Sequence, residues 1–137
     1  MRSAAPRWML VGLLAQVAGV ASEAAWAMVP AGFRAGSGTN LGFLVDHVVS
    51  NAGVAAVLVG ALLAVGDRRS SSRAAIATGL AGATLEALGA AADTTRHLSG
   101  RSLGDAVIYP TLAVGAALVI ASLVLGRRSG GEGIPSH

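Results

Sequence analysis

The chain has 137 residues, of which 53% are hydrophobic and only 12% charged, with a mean hydropathy of +0.65 and a net charge of +3. A soluble domain carries about 25% charged residues, so this chain lacks the polar surface to coat a globule in water and reads as an integral membrane protein. It has no cysteine, which excludes disulfides, thiolate catalysis and cysteine-bound metals. Its ten arginines flank apolar segments and do not stripe one face, which points to bilayer topology and headgroup contacts and away from nucleic acid.

Four segments are long and apolar enough to span a bilayer, which takes about 20 residues. In chain order they are residues 8–29, ended by Pro30, then 41–66, 74–95 and 104–126. In lipid each must be helical, because an exposed strand would leave its backbone groups unpaired. Short connections make neighbouring helices antiparallel. The expected fold is an all-α, antiparallel four-transmembrane-helix bundle, a single domain over residues 1–128, with a Gly- and Ser-rich disordered tail at 129–137.

Arginine placement orients the bundle. Arg2, Arg7, Arg68, Arg69, Arg73, Arg127 and Arg128 fall on one side, against Arg34, Arg96 and Arg101 on the other. The positive-inside bias therefore puts both termini in the cytoplasm of a multi-pass cell-membrane protein. Residues 1–27 also carry a signal-peptide pattern, with a basic start, an apolar core and Ala25-Trp26-Ala27. Because the apolar run continues through Val29 to spanning length, an uncleaved helix is favoured; cleavage would leave three helices and remove Glu23.

Small residues mark the packing faces. Gly12 and Gly19 on the first span, and Gly79, Gly82 and Gly89 on the third, allow close backbone approach inside the bundle or across a homodimer interface.

Polar residues gather toward the outer side. Glu23, Asp46, Glu86, Asp93 and Asp105 lie there, as do His47, Asn51, His97 and Tyr109. Counting 1.5 Å per residue from the outer helix ends places Glu23, His47 and Glu86 in one layer about 10 Å deep. On the third span Gly82, Glu86, Ala90, Asp93 and His97 share a stripe; on the first, Gln16, Gly19, Glu23 and Trp26 do. Turned inward, such stripes form a polar pocket open to the outer side.

Ionisable groups at membrane depth mark function by default. Glu23 and Glu86 are the sharpest pair, since two carboxyls in a low-dielectric cavity can divide acid and base roles. His47 is the third catalytic candidate; Asp46 beside it points about 100° away, so a partner from the first or third span is needed to orient it. Asn51, Trp26, Asp46, Asp93 and Tyr109 are the expected substrate-binding residues. Asp93 and His97 also suit a helix end at the membrane rim, and Trp26 an interfacial belt. Neither a Glu-x-x-His pair nor an H-E-x-x-H motif occurs, so no metal and no cofactor is expected.

LLAQVAGV, residues 13–20, resembles the first helix of the small multidrug resistance transporters. The membrane carboxylate of that family falls here at Gln16, which carries no proton, and its later motifs are missing, so the chain is not assigned to it. Two carboxylates in a membrane cavity are similar to sterol isomerases and terpene cyclases in mechanism only.

The leading expectation is a small membrane enzyme using acid–base chemistry, namely isomerisation, cyclisation or epoxide opening, on a lipophilic small molecule among membrane lipids. A proton-coupled transporter or channel subunit is the alternative, disfavoured by the apolar inner half of the second and fourth spans. A structural subunit of a larger complex is the third.

Overall fold

The computed structural model describes residues 3–36, 41–67, 72–99 and 105–129. Ser129, the first residue of the expected tail, is helical; the rest of that tail, residues 130–137, lies outside the described residues, as do the side chains of Phe43, His97 and Asp105. The described chain is all helical: α1 Ala5–Ala27, α2 Ala31–Gly36, α3 Leu41–Gly66, α4 Arg73–Ser99 and α5 Asp105–Ser129. Four of these helices are long and apolar enough to cross a membrane, over Ala5–Ala27, Leu44–Gly66, Arg73–Arg96 and Ala106–Arg127.

The boundaries have local causes. Proline fits the first turn of a helix, where its missing N–H costs nothing, so α1 starts ahead of Pro6 and earlier than its apolar periodicity suggests. Pro30 separates α1 from α2, a short helix the sequence reading passes over. The Pro30 carbonyl accepts from the amides of Phe33 and Arg34, at 3.0 and 3.1 Å, and so closes the first turn of α2. The Ser72 hydroxyl caps the amide of Ala75 at 3.2 Å where α4 begins. At its other end α4 runs on through Thr94, Thr95 and Arg96 to Ser99. The Thr95 hydroxyl there turns back onto the Ala91 carbonyl, at 2.7 Å, and the helix continues. Pro110 sits inside α5, and the Thr111 hydroxyl donates to the Val107 carbonyl in the same turn, at 2.7 Å.

Packing joins the helices in two tight pairs, α1 with α3 and α4 with α5; α3 and α4 touch less, and α1 and α5 barely. Glycines set both crossings. A Cβ at Gly12 would lie 2.6 Å from Val57 Cγ2, and one at Gly53 would lie 2.6 Å from the Gly12 carbonyl oxygen. Likewise a Cβ at Gly82 would sit 2.7 Å from the Gly115 carbonyl. Only hydrogen fits at these points, so backbone meets backbone, the arrangement that maximises van der Waals contact where lipid offers no hydrophobic contrast. Gly12 and Gly82 thus meet glycines of α3 and α5, while Gly19 meets Ser50 and Asp46, Gly79 meets Ser122 and Gly89 meets Leu112.

Ala5, Met9, Val57, Ala61, Ala64, Ala83 and Val119 form one apolar core in the half of the bundle that holds the start of α1. Outward, large apolar side chains stand open, among them Leu14 at 59% and Val17 at 68%. Apolar faces of that extent on α1 suit lipid and not water. Within the core half, the buried Ser122 hydroxyl donates to the Ala75 carbonyl at 2.6 Å, pinning α5 to α4.

Candidate functional site

In the opposite half the two helix pairs separate around a cavity of about 620 Å³. All four long helices contribute: Gln16, Val20 and Glu23 from α1; Asp46, His47, Ser50, Asn51 and Val54 from α3; Ala90, Asp93 and Arg96 from α4; Tyr109 and Leu112 among those from α5. Tyr109 is 58% exposed and Glu23 and Asn51 are also exposed, so the cavity opens outward past these residues.

The centre of its polar wall is His47. Adjacent residues on a helix diverge by about 100°, and here that divergence divides two tasks. Asp46 turns toward α1, its carboxylate packed against Gly19. His47 turns toward α4, with Nε2 3.1 Å from Asp93 Oδ2. The Asp46 carboxylate lies 3.8 Å from His47 Nδ1 and accepts a 2.8 Å hydrogen bond from the Ser50 hydroxyl on its other oxygen. The carboxylate that another helix brings to His47 is therefore Asp93, on α4.

No family model, curated protein or solved structure matches the chain.

Glu86 stands apart. It is completely buried, and its carboxylate accepts a 3.0 Å hydrogen bond from Gln16 Nε2, which reaches across from α1 to α4. Its second oxygen makes no hydrogen bond among the described residues. Gln16 lines the cavity and Glu86 does not, so Glu86 lies behind the wall that Gln16 forms.

The single layer expected for Glu23, His47 and Glu86 is therefore not formed. Glu86 is level with Gln16, which precedes Glu23 by seven residues, or about 10 Å of helix. His47 is level with Asp93, which follows Glu86 by the same interval. The expectation counted depth from helix ends taken as coplanar, whereas α4 continues past Asp93 to Ser99 and α1 stops at Ala27.

Of the remaining expected site residues, Asp46, Asn51, Asp93 and Tyr109 line the cavity and Trp26 does not. Trp26 instead packs against Gly42, where an added Cβ would lie 2.6 Å from its Cγ, and meets the Phe33 ring edge-on at 6.5 Å. It staples the end of α1 to α2 and to the start of α3. Ser50 and Arg96 belong to the wall; sequence reasoning passed over Ser50 and placed Arg96 only at the outer end of the third span. Ser50 lies four residues after Asp46, the spacing that stacks side chains on one helical face, and that spacing was the available signal.

A stability experiment separates the roles of Gln16 and Glu86. Gln16→Leu removes the one hydrogen bond to a fully buried carboxyl and is expected to cost about 1–3 kcal/mol. Glu86→Gln keeps the shape and an acceptor oxygen, and is expected to cost less. Thermal unfolding in detergent micelles reads both; the opposite order would remove the hydrogen bond from the account.

Proposed function

We propose that the protein is a multi-pass cell-membrane enzyme that carries out acid–base chemistry on a lipophilic small molecule held in this cavity. The bundle is antiparallel with both termini cytoplasmic, an orientation supported by the seven-to-three division of arginines, and the cavity then opens toward the outer leaflet. The observation that carries the reading is the His47–Asp93 pair, at 3.1 Å, in the wall of a cavity where Gln16, Glu23, Asp46, Ser50, Asn51 and Arg96 stand beside Val20, Val54, Leu112 and alanines. A carboxylate beside one ring nitrogen favours a set orientation of the imidazole. The aliphatic part of that lining suits the hydrocarbon of a substrate drawn from lipid, and the polar groups suit its orientation.

His47 is the proton-transferring group and Glu23, at the cavity edge, is its counterpart. In a double-bond shift, one group delivers a proton to an alkene carbon while the other removes one from the allylic carbon. The electron pair of the broken C–H bond becomes the new π bond, and no oxidant is consumed. Cyclisation and epoxide opening need the same two groups. Glu86 acts through Gln16, as a positioning residue that fixes the cavity floor.

Proton-coupled transport is the weaker reading. A path through the bundle would have to cross Val57, Ala61, Ala83 and Val119, all buried and apolar.

The test is isotopic. Purified protein is incubated with a membrane lipid extract in D₂O and, separately, in H₂¹⁸O, followed by mass spectrometry of the lipophilic fraction. Carbon-bound deuterium is expected for isomerisation or cyclisation, and ¹⁸O for epoxide opening. If neither label enters any lipid above the protein-free control, the enzymatic reading fails; carboxylate-dependent proton flux in proteoliposomes would put transport in its place.

A further inference from the structure

A second, smaller cavity of about 140 Å³ lies at the opposite end of the bundle, where the start of α1, the start of α4 and the end of α5 meet. Met9 and Leu123 supply its apolar lining, Ser3 and Ser122 its hydroxyls, and Arg127 its charge. Its position relative to the bilayer follows from the spans themselves. Ala5 begins the first, Arg73 begins the third and Arg127 ends the fourth. Three span boundaries thus converge on this groove, at the level where hydrocarbon gives way to headgroups.

The charge at this end is mainly positive. Arg7, Arg73 and Arg127 are exposed, and Asp67 is the one acidic residue here among the described residues. Arg127 makes no ion pair among the described residues. A guanidinium recognises a phosphate through paired donors. Beneath it Ala5, Pro6, Met9 and Leu123 offer apolar surface for the first carbons of an acyl glycerol, beside the Ser3 and Ser122 hydroxyls. Gly126 forms part of the lining and has nothing within 4 Å of where a Cβ would stand, so the space beside it is open.

We propose that this groove is a binding site for the headgroup of an anionic phospholipid, with the phosphate on Arg127 and the glycerol end against Met9 and Leu123. The volume admits a phosphate and the start of a chain, and the rest of the lipid runs along the outer faces of α1 and α5. The site is independent of the chemistry assigned to the larger cavity.

The full chain is reconstituted in nanodiscs of mixed phosphatidylglycerol and phosphatidylcholine, released into detergent, and examined by native mass spectrometry for retained lipid. Phosphatidylglycerol is expected to be retained over phosphatidylcholine. Arg127→Gln should weaken that retention about fivefold, the equivalent of one arginine at a membrane surface. Gly126→Leu starts from a Cβ in open space, fills part of the groove and should weaken it comparably, with thermal unfolding unchanged. Equal retention of the two lipids, retention unaffected by Arg127→Gln, or displacement by millimolar inorganic phosphate would overturn the proposal; the first two outcomes reject a specific site and the third indicates a free-phosphate site.

Discussion

His47→Gln is expected to lower turnover by about 10²- to 10⁴-fold, the usual contribution of a general acid or base. Gln keeps a polar amide in the cavity wall but cannot exchange a proton. The side chain is half-buried and faces an open cavity, so the fold should tolerate the change. Asp93→Asn should lose a large part of the same activity, because it removes the carboxylate that faces the ring at 3.1 Å. If the two residues act as one unit, the double variant loses little more than His47→Gln alone. Asp46→Asn should matter less, since its carboxylate stands 3.8 Å from the ring and already engages Ser50. The assay is the label incorporation described above, with circular dichroism and gel filtration to show that each variant remains folded. Full activity in a folded His47→Gln protein would eliminate the residue as the proton-transferring group, and fully additive losses would remove Asp93 as its orienting partner.

Gly82→Leu is expected to damage the fold severely. Its Cβ alone would lie 2.7 Å from the Gly115 carbonyl oxygen and 2.8 Å from the Val119 backbone nitrogen. Both are backbone atoms, so no side-chain rotation relieves the clash and α4 must move away from α5. Overpacking a tight interior costs about 1–3 kcal/mol where some adjustment is open, and backbone obstruction should place this change at or above the top of that range. Such a cost is a large fraction of the stability of an ordinary domain. Separation of α4 from α5 would also release the Gly115 backbone from Glu86, whose Cγ stands 2.8 Å from a Cβ built there. Gly126→Ala, in the same helix as Gly115 but with open space around it, supplies the contrast. It should be neutral or stabilise by up to about 1 kcal/mol, as alanine does over glycine within a helix. Thermal unfolding in micelles measures both; equal tolerance of the two changes would show that the glycine crossing does not hold the pair together.

The four apolar spans, the gathering of polar residues in one half and the glycine faces of α1 and α4 were legible in the residues alone. They follow from composition and from the 3.6-residue period, which need no knowledge of neighbours. So did the inference that His47 must find its partner on another helix, because Asp46 points the wrong way. The role of Trp26 was not legible, since an aromatic near a span end suits an interfacial belt, a cavity mouth and a packing staple equally well. Gly42 and Phe33 decided it.

What the tertiary structure alone decided is axial offset. Periodicity shows which residues share a face of a helix, but nothing in a helix states how far it has slid along its neighbour. That distance depends on where backbones meet, here Gly12 against Gly53 and Gly82 against Gly115. These crossings bring Glu86 level with Gln16, behind the cavity wall, and leave His47 level with Asp93, on it. The residues themselves determined that this protein has a polar cluster inside an apolar bundle; the contact between glycine backbones determined which members of that cluster face the cavity.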